Sequence, residues 1–219
     1  MGPQLDDRVV VITGAGDKSF CAGADLKAIS QGQNIFHPDH PEWGFAGYVQ
    51  HFIDKPIIAA VNGAAAGGGL ALVLASDIRL GAKSSKFNVA FVRIGFSACD
   101  IGTSWLLPRI VGVARAQELM LTGRVFDSAE AHRIGLLVDV VPDDDLLEVA
   151  FAKAEEISRN SPFGVALTKE AMWTALEIPG LQAAIDLENR QQILASHTDD
   201  AREAMRAFVE KRAPSFENR

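Results

Sequence analysis

The sequence predicts one α/β domain, in which strands and helices alternate first and helices dominate the C-terminal part. Residues 8–13 (RVVVIT) and 56–61 (PIIAAV) are short apolar runs rich in β-branched side chains, and a glycine follows each run closely. Such runs are typical of buried strands. From about residue 104 onward, apolar residues recur at helical spacing. We therefore expect residues 1–125 to form an alternating core and residues 126–219 a mostly helical region of the same domain.

Further elements are predicted from local signals along the chain. A buried helix core is expected at residues 70–75, short strands at 77–80 and 87–89, and another strand at 136–141. A helix with apolar periodicity is expected at residues 146–157. It follows a run of three aspartates, whose charge suits the N-terminus of a helix.

Three helix starts carry side chains that commonly cap helices. Asp127 precedes Glu130 by three residues, which is the spacing of a capping box. Ser161 stands directly before Pro162, a combination typical of an N-cap followed by the first helical residue. Thr198 opens the last predicted helix, which carries two aspartates in its first turn.

One segment approaches the length of a membrane span. Between residues 57 and 75, Asn62 is the only strongly polar side chain. However, Asn62-Gly63 is a turn signal, and three consecutive glycines at residues 67–69 are poor helix formers. We interpret the segment as a buried strand, a glycine turn and a buried helix, and we expect no association with a membrane.

Composition and charge exclude several classes of protein. The chain has 219 residues, of which 48% are apolar and 22% charged, and its formal net charge is -7. Such a charge argues against a nucleic-acid partner. Cys21 and Cys99 lie far apart without metal-ligand spacing, so we expect free thiols and no metal site. The polar N-terminus does not fit a secretory signal, and we expect a cytoplasmic location.

A dinucleotide-binding loop is the first motif that the sequence suggests. Gly14 and Gly16 follow the first predicted strand, but Lys18 and Phe20 stand where a short-chain dehydrogenase would need further glycines. Tyr48 is the only tyrosine, and no lysine follows it at the spacing of a catalytic pair. We exclude this interpretation, and we find neither a nucleophile elbow nor a P-loop.

Two glycine-containing segments carry more chemical weight. Residues 20–27 (FCAGADLK) place small residues around Gly23, so that backbone N–H groups can approach a ligand. Residues 61–72 (VNGAAAGGGLAL) lead from a strand through glycines into a helix, whose first N–H groups lack partners within the helix. If the segments met, their N–H groups could bind one oxyanion from two sides. The alternative is that both are only tightly packed turns.

Five motifs in this order resemble the crotonase superfamily, the enoyl-CoA hydratases and isomerases. They are FCAGADLK, IIAAVNGAAAGGGLAL, GFSACDIGTSWLLPRIVG, LTGRVFDSAEAHRIGLL and AFVEKR. The resemblance implies a spiral of ββα units with a helical C-terminal trimerisation region. It also implies an acyl-CoA or enoyl-CoA substrate, as in fatty acid metabolism, no cofactor beyond the coenzyme A moiety of that substrate, and a homotrimer or hexamer.

The resemblance assigns roles to particular residues. It places the oxyanion-hole amides at Ala24 and Gly68, and the groove for coenzyme A near Ala22, Asp25 and Leu26. Amides of this kind stabilise an enolate, and related donors contribute roughly 3 to 4 kcal/mol each.

The last helix is implied to contact the coenzyme A of a neighbouring subunit. Phe208 and Lys211 resemble the residues that do so in the family. The alternative is an amphipathic helix with a basic last turn.

The sequence departs from the family at both catalytic glutamates. Ala71, three residues after Gly68, and Phe91 stand in their places, and neither can move a proton. Asp100 is the remaining candidate acid, because isomerase and dehalogenase relatives carry an acid at or beside this position. The alternative is that Asp100 caps a helix beginning near Thr103.

Other candidate groups remain open. Cys99 aligns with the position of that acid and is either a nucleophile near a helix N-terminus or a small buried apolar residue. His37, His40 and Glu42 lie in a variable segment and are either a base or ordinary surface residues. Only seven residues precede the first predicted strand, so we expect the strand and helix that begin the family's fold to be missing.

Together these features favour an enzyme that acts on an acyl-CoA or enoyl-CoA thioester through an enolate. A double-bond shift or another step assisted by Asp100 is favoured over simple hydration. The alternative is a catalytically silent homologue that binds coenzyme A thioesters.

Overall fold

The computed structural model describes residues 8–31 and 53–218, and the labels below count the elements in those residues. The strands are β1 (Val10–Thr13), β2 (Ser19–Cys21), β3 (Ile57–Val61), β4 (Ala64–Ala66), β5 (Ile78–Ala82), β6 (Lys86–Asn88), β7 (Phe126–Asp127) and β8 (Asp139–Val141). The α-helices are α1 (Leu26–Ser30), α2 (Gly68–Ala75), α3 (Thr103–Val111), α4 (Val113–Thr122), α5 (Ser128–Arg133), α6 (Leu146–Ser158), α7 (Pro162–Ala175), α8 (Leu181–Ser196) and α9 (Asp199–Glu210). Two 3₁₀ helices span Ala90–Ile94 and Asp143–Asp145.

Successive strands alternate between two sheets. In the described residues one sheet has the order β1-β3-β5-β8 and the other β2-β4-β6-β7. The pairs β3–β5, β5–β8, β2–β4 and β4–β6 are parallel, whereas β6 and β7 pair antiparallel. Two strands, one for each sheet, precede α1, and two more precede α2. This order confirms the predicted α/β spiral of ββα units.

The centre of the spiral is apolar on all sides. Every residue of β3 is fully buried, because β1 and β5 flank it within the sheet and other elements cover its faces. Helix α2 is buried along its length except at Gly68. The membrane-length segment is thus the predicted strand, turn and helix, with β4 added. Within the described residues, no helix is long and apolar enough to cross a membrane.

Two predicted strands differ from the observed ones. The strand expected at residues 8–13 begins at Val10, and it is half-buried with Thr13 exposed. It lies at the end of the described sheet, which explains why it is not fully covered. The strand expected at residues 136–141 is shorter and consists of β8 alone. Leu136 and Leu137 are buried, but they lie before the strand.

The predicted helix starts are confirmed. Asp127 Oδ1 accepts a hydrogen bond from Glu130 N–H at 2.8 Å, and Ser161 Oγ accepts one from Gly164 N–H at 3.4 Å. Thr198 Oγ1 likewise accepts from Ala201 N–H at 3.1 Å. The capping box at α5 is only half formed, because the Glu130 carboxylate binds an arginine side chain instead of returning to the cap.

The chain divides into two compact units. Among the described residues, one consists of 8–10, 54–56 and 153–218, and the other of 11–31, 53 and 57–152. The second unit contains both sheets except for the first residue of β1. The single domain expected over residues 1–219, with its division near residue 125, stays a prediction.

Buried polar side chains tie the first unit together. Asp200, which is 2% exposed, accepts hydrogen bonds from the backbone N–H groups of Glu217 and Asn218. Lys169 Nζ donates to the Lys55 carbonyl at 2.9 Å. These bonds hold the C-terminal tail against α9 and the residue before Pro56 against α7 within this unit.

Candidate active site

The loop between β2 and α1 approaches the start of α2 very closely. Gly23 has φ +88°, and a Cβ added to it would lie 2.9 Å from Ala66 O and 3.2 Å from Gly68 N. A Cβ added to Gly68 would lie 3.6 Å from Gly23 Cα. Only glycine meets both requirements at residue 23, a positive φ and no side chain toward the neighbouring backbone. We call this approach of Gly23 to Gly68 the glycine contact.

The pairing of β2 with β4 brings about this approach. The two strands run parallel, with Ser19 opposite Ala64 and Cys21 opposite Ala65. Their C-terminal ends therefore lie side by side, and the chain leaves them at neighbouring points. Gly69 lies closer still to β2, because a Cβ on it would fall 1.9 Å from Cys21 O. The two segments that the sequence singled out are thus in contact.

Both segments carry backbone N–H groups that have no backbone acceptor in the described residues. Gly67 is the N-cap of α2 and offers no side-chain cap, while its own N–H donates to Asn88 O at 3.2 Å. Within the described residues, neither Ala24 N–H nor Gly68 N–H donates to a backbone carbonyl. Unpaired N–H groups at the start of a helix form a ready site for an anion. The pairing of Ala24 and Gly68 as one oxyanion hole stays a prediction.

The residues in the places of the family glutamates contribute only apolar surface. Ala71 lies inside α2 and is fully buried. Phe91 lies in the first 3₁₀ helix, and a Cβ on Gly67 would be 3.6 Å from its Cε1. An aromatic ring therefore flanks the glycine turn.

The 3₁₀ helix that carries Phe91 is supported by a charged cluster. A Cβ on Gly123 would lie 2.8 Å from side-chain carbons of Val92 and Arg93, so this turn packs directly on the 3₁₀ helix. The next residue, Arg124, donates to Glu118 at 2.6 Å and to Glu130 at 2.7 Å. These hydrogen bonds lower the pKa of both carboxyl groups.

Asp100 lies in a tight turn before α3. Thr103 N–H donates to Asp100 O at 2.9 Å, and the two central residues have positive φ, +40° at Ile101 and +82° at Gly102. This is the geometry of a type I′ turn. Asp100 Oδ1 accepts from Ile101 N–H at 2.9 Å. We call residues 100–103 the Asp100 turn.

The helix-capping alternative for Asp100 is wrong. The N-cap of α3 is Gly102, and no side chain caps this helix. The Asp100 carboxylate binds the next backbone N–H instead. Among the described residues, its second oxygen has no hydrogen-bond partner, and the side chain is half-buried. The role of Asp100 as an acid stays a prediction.

Ile101 is the residue of this region that the sequence did not single out. A β-branched residue with positive φ is a genuine outlier and costs about 1–3 kcal/mol. Its Cδ1 lies 3.5 Å from where a Cβ on Gly68 would be, so the side chain lies beside the glycine contact. The usual sequence signal for a type I′ turn is Asn-Gly or Asp-Gly, and Ile-Gly gives no such signal.

The remaining predicted groups lie in several places. Cys99 is exposed, so the prediction that it is a small buried residue is wrong; its N–H donates to Ser97 Oγ because the chain turns here at the surface. Its role as a nucleophile stays a prediction. His37, His40 and Glu42 lie outside the described residues.

The predicted coenzyme A residues are accessible. Ala22, Asp25 and Leu26 are exposed, with Leu26 50% exposed, and Asp25 Oδ1 accepts from Lys27 N–H at the start of α1. The exposed side chain of Leu26, close in sequence to the glycine contact, offers apolar surface to a partly apolar ligand.

Phe208 and Lys211 belong to the other compact unit. Phe208 is 85% exposed on α9, and Lys211 is the C-cap of that helix with φ +54°. Their exposure fits both alternatives, contact with a neighbouring subunit and the surface of an amphipathic helix. Within the described residues, no group of three potential metal ligands occurs.

The sequence matches one family over almost its whole length. A family model described as enoyl-CoA hydratase/isomerase matches residues 4–219. The probable enoyl-CoA hydratase EchA12 of Mycobacterium tuberculosis is 39% identical over 218 residues, covering 95% of this chain and 76% of the relative. The 1,2-epoxyphenylacetyl-CoA isomerase of Escherichia coli is 38% identical over 219 residues, covering 95% of this chain and 80% of the relative.

Solved structures agree with this match. An enoyl-CoA hydratase from Bacillus anthracis superposes with a TM-score of 0.88 at 36% identity and covers 99% of this chain and 84% of its own. The enoyl-CoA hydratase EchA1 of Mycobacterium marinum gives a TM-score of 0.87 at 35% identity, covering 96% of this chain and 81% of its own. The chain therefore belongs to the enoyl-CoA hydratase/isomerase family.

Proposed function

We propose that this chain is an enzyme that converts an acyl-CoA or enoyl-CoA thioester through an enolate. The glycine contact is the observation that carries the proposal, because it brings two backbone segments with unpaired N–H groups to one place. In this proposal the N–H groups of Ala24 and Gly68 donate to the thioester oxygen. They stabilise the negative charge that develops there when the α-proton leaves.

Asp100 is the proposed proton carrier. Its carboxylate takes the proton from the α-carbon, the electron pair moves into the thioester carbonyl, and the enolate oxygen accepts both backbone hydrogen bonds. When the double bond of the substrate joins the β- and γ-carbons, return of the proton to the γ-carbon shifts the double bond to the α- and β-carbons, whereas return to the α-carbon restores the substrate. Either outcome needs a single acid–base group, which suits a site with Ala71 and Phe91 in place of the glutamates.

The coenzyme A moiety is proposed to bind along Ala22, Asp25 and Leu26, directly before and at the start of α1. These residues adjoin Gly23, so the pantetheine of a thioester bound at the glycine contact would lie along them. Phe208 and Lys211 are proposed to reach the coenzyme A of a neighbouring subunit in a homotrimer or hexamer. No metal or further cofactor is required by this chemistry, and a cytoplasmic location remains part of the proposal.

The second candidate function is a silent homologue that binds coenzyme A thioesters without converting them. The loss of both glutamate positions favours it, since Ala71 is fully buried and Phe91 is aromatic. It differs from the enzyme in one respect only, the absence of proton transfer at the α-carbon.

Mass spectrometry of enoyl-CoA thioesters incubated with the protein in heavy water separates these functions. Deuterium gain without added water, abolished in Asp100→Asn, is the result expected for an Asp100-assisted shift. Gain of a water mass would show hydration and require a second proton path. Binding without any change of mass would overturn the enzyme proposal and establish the silent homologue.

A further inference from the structure

The Asp100 turn combines two unfavourable features within three residues. Ile101 holds a β-branched side chain at φ +40°. Thr103 is 1% exposed, and its Oγ1 has no hydrogen-bond partner within the described residues. Glycine, asparagine or aspartate would adopt the first central position of a type I′ turn at lower cost. Strain of this kind persists only where the surroundings impose it, and it clusters at functional sites.

The strained turn places the side chain of Ile101 beside Gly68. Its Cδ1 lies 3.5 Å from the Cβ position of Gly68, and Gly23 Cα lies 3.6 Å from the same point. A side chain on Gly68 would therefore meet both Ile101 and Gly23 at ordinary van der Waals distance, so Ile101 lies directly beside Gly68. An asparagine or glycine at residue 101 would ease the turn but would not place an apolar group there.

We infer that Ile101 is a positioning residue for the reaction proposed above, on which this inference rests. Its side chain covers Gly68, excludes water from the Gly68 N–H and so strengthens the hydrogen bond from that group to a thioester oxygen. Because Asp100 is the preceding residue, and its carboxylate binds the Ile101 N–H, seating Ile101 against Gly68 also fixes where the carboxylate stands.

Three variants separate positioning from a merely structural role. Ile101→Gly removes the contact and the strain, Ile101→Ala removes the contact but keeps a side chain at positive φ, and Ile101→Leu keeps an apolar side chain long enough to reach Gly68. Urea unfolding should rank Ile101→Gly as more stable than Ile101→Ala. If the role were only structural, function would follow that ranking.

The direct measurement is the infrared band of the thioester carbonyl of butyryl-CoA labelled with ¹³C at that carbon. Hydrogen bonds from the hole lower its frequency, and this readout needs no turnover. We expect the wild type and Ile101→Leu to shift the band alike, and Ile101→Gly and Ile101→Ala to lose most of the shift together. The rate of α-proton exchange at saturating substrate should fall about tenfold in the latter two, with KM changed less than twofold.

The outcomes distinguish this inference from the proposed function. A shift in the wild type that Ile101→Gly retains in full would overturn the inference alone. No shift in the wild type, with binding established by calorimetry, would overturn the proposed oxyanion hole and the inference with it. Loss of the shift in Ile101→Leu as well would show that the contact with Gly68 is not what matters, and would also contradict the inference.

Discussion

The glycine contact and the Asp100 turn make up the candidate site. In the glycine contact the residue type fits the backbone conformation, whereas in the Asp100 turn it does not. Gly23 combines a positive φ with a place where a Cβ would crowd Ala66 O, so its residue type suits its conformation. Ile101 occupies a conformation that its side chain disfavours. The backbone conformation of the glycine contact therefore carries no strain, whereas that of the Asp100 turn is imposed by the residues around it. The difference indicates which part of the site is maintained at the expense of stability.

The largest effect is expected where the backbones meet. Gly69→Ala would place a Cβ 1.9 Å from Cys21 O, so β2 or α2 must move, and we expect the free energy of unfolding to fall by about 3 kcal/mol. Urea denaturation measures this. Gly164→Ala is the matched control, because Gly164 also lies in the first turn of a helix and a Cβ there would meet nothing closer than Ser161 Cβ at 3.7 Å; it should not lower stability by more than about 0.5 kcal/mol. Equal stabilities of the two variants would refute the close approach.

A smaller effect is expected at the support of the 3₁₀ helix. Arg124→Gln removes the hydrogen bonds to Glu118 and Glu130, and we expect a loss of about 1 kcal/mol at neutral pH, since the cluster is partly exposed.

The pH dependence of that loss follows from the two carboxyl groups. Hydrogen bonds from Arg124 hold their pKa values below the ordinary 4.5 in the folded chain. They therefore stabilise the fold above that pH and cease to do so as the pH falls below it. Unfolding curves of the wild type and of Arg124→Gln should converge in acid. Curves that stay parallel down to about pH 3 would contradict the idea that Arg124 lowers the pKa of these carboxyl groups.

The smallest change in stability is expected at Asp100, the proposed proton carrier. Asn at position 100 can still accept the Ile101 N–H through its amide oxygen and tolerates this type of turn, so Asp100→Asn should alter the free energy of unfolding by less than about 0.5 kcal/mol. Thermal denaturation followed by circular dichroism tests this. A large destabilisation would mean that loss of activity in this variant reports on folding and not on proton transfer.

Sequence patterns predicted the elements that depend on local chemistry. The run at residues 57–61 gave β3, and the side chains of Asp127, Ser161 and Thr198 gave three helix starts. In each case the hydrogen bond or the apolar pattern lies within a few residues, so neighbours in the sequence carry the information.

Elements that depend on distant partners were missed. Strands β2, β4 and β7 have at most three residues and contain no β-branched side chain, and they exist because of pairing across the sheet. Ile101 escaped detection for a related reason, because its conformation is imposed by contacts and contradicts its own preference. The family resemblance pointed to Ala24, Gly68 and Asp100, but only the structure places Ile101 against Gly68.

The glycine contact is proposed to stabilise an enolate of a coenzyme A thioester. The most direct test is proton NMR of a saturated acyl-CoA, which has no double bond to hydrate or shift, incubated with the protein in heavy water. We predict that the α-proton signal of the thioester disappears with the wild type and persists with Asp100→Asn. An α-proton signal that persists with the wild type, for an acyl-CoA shown to bind, would contradict it.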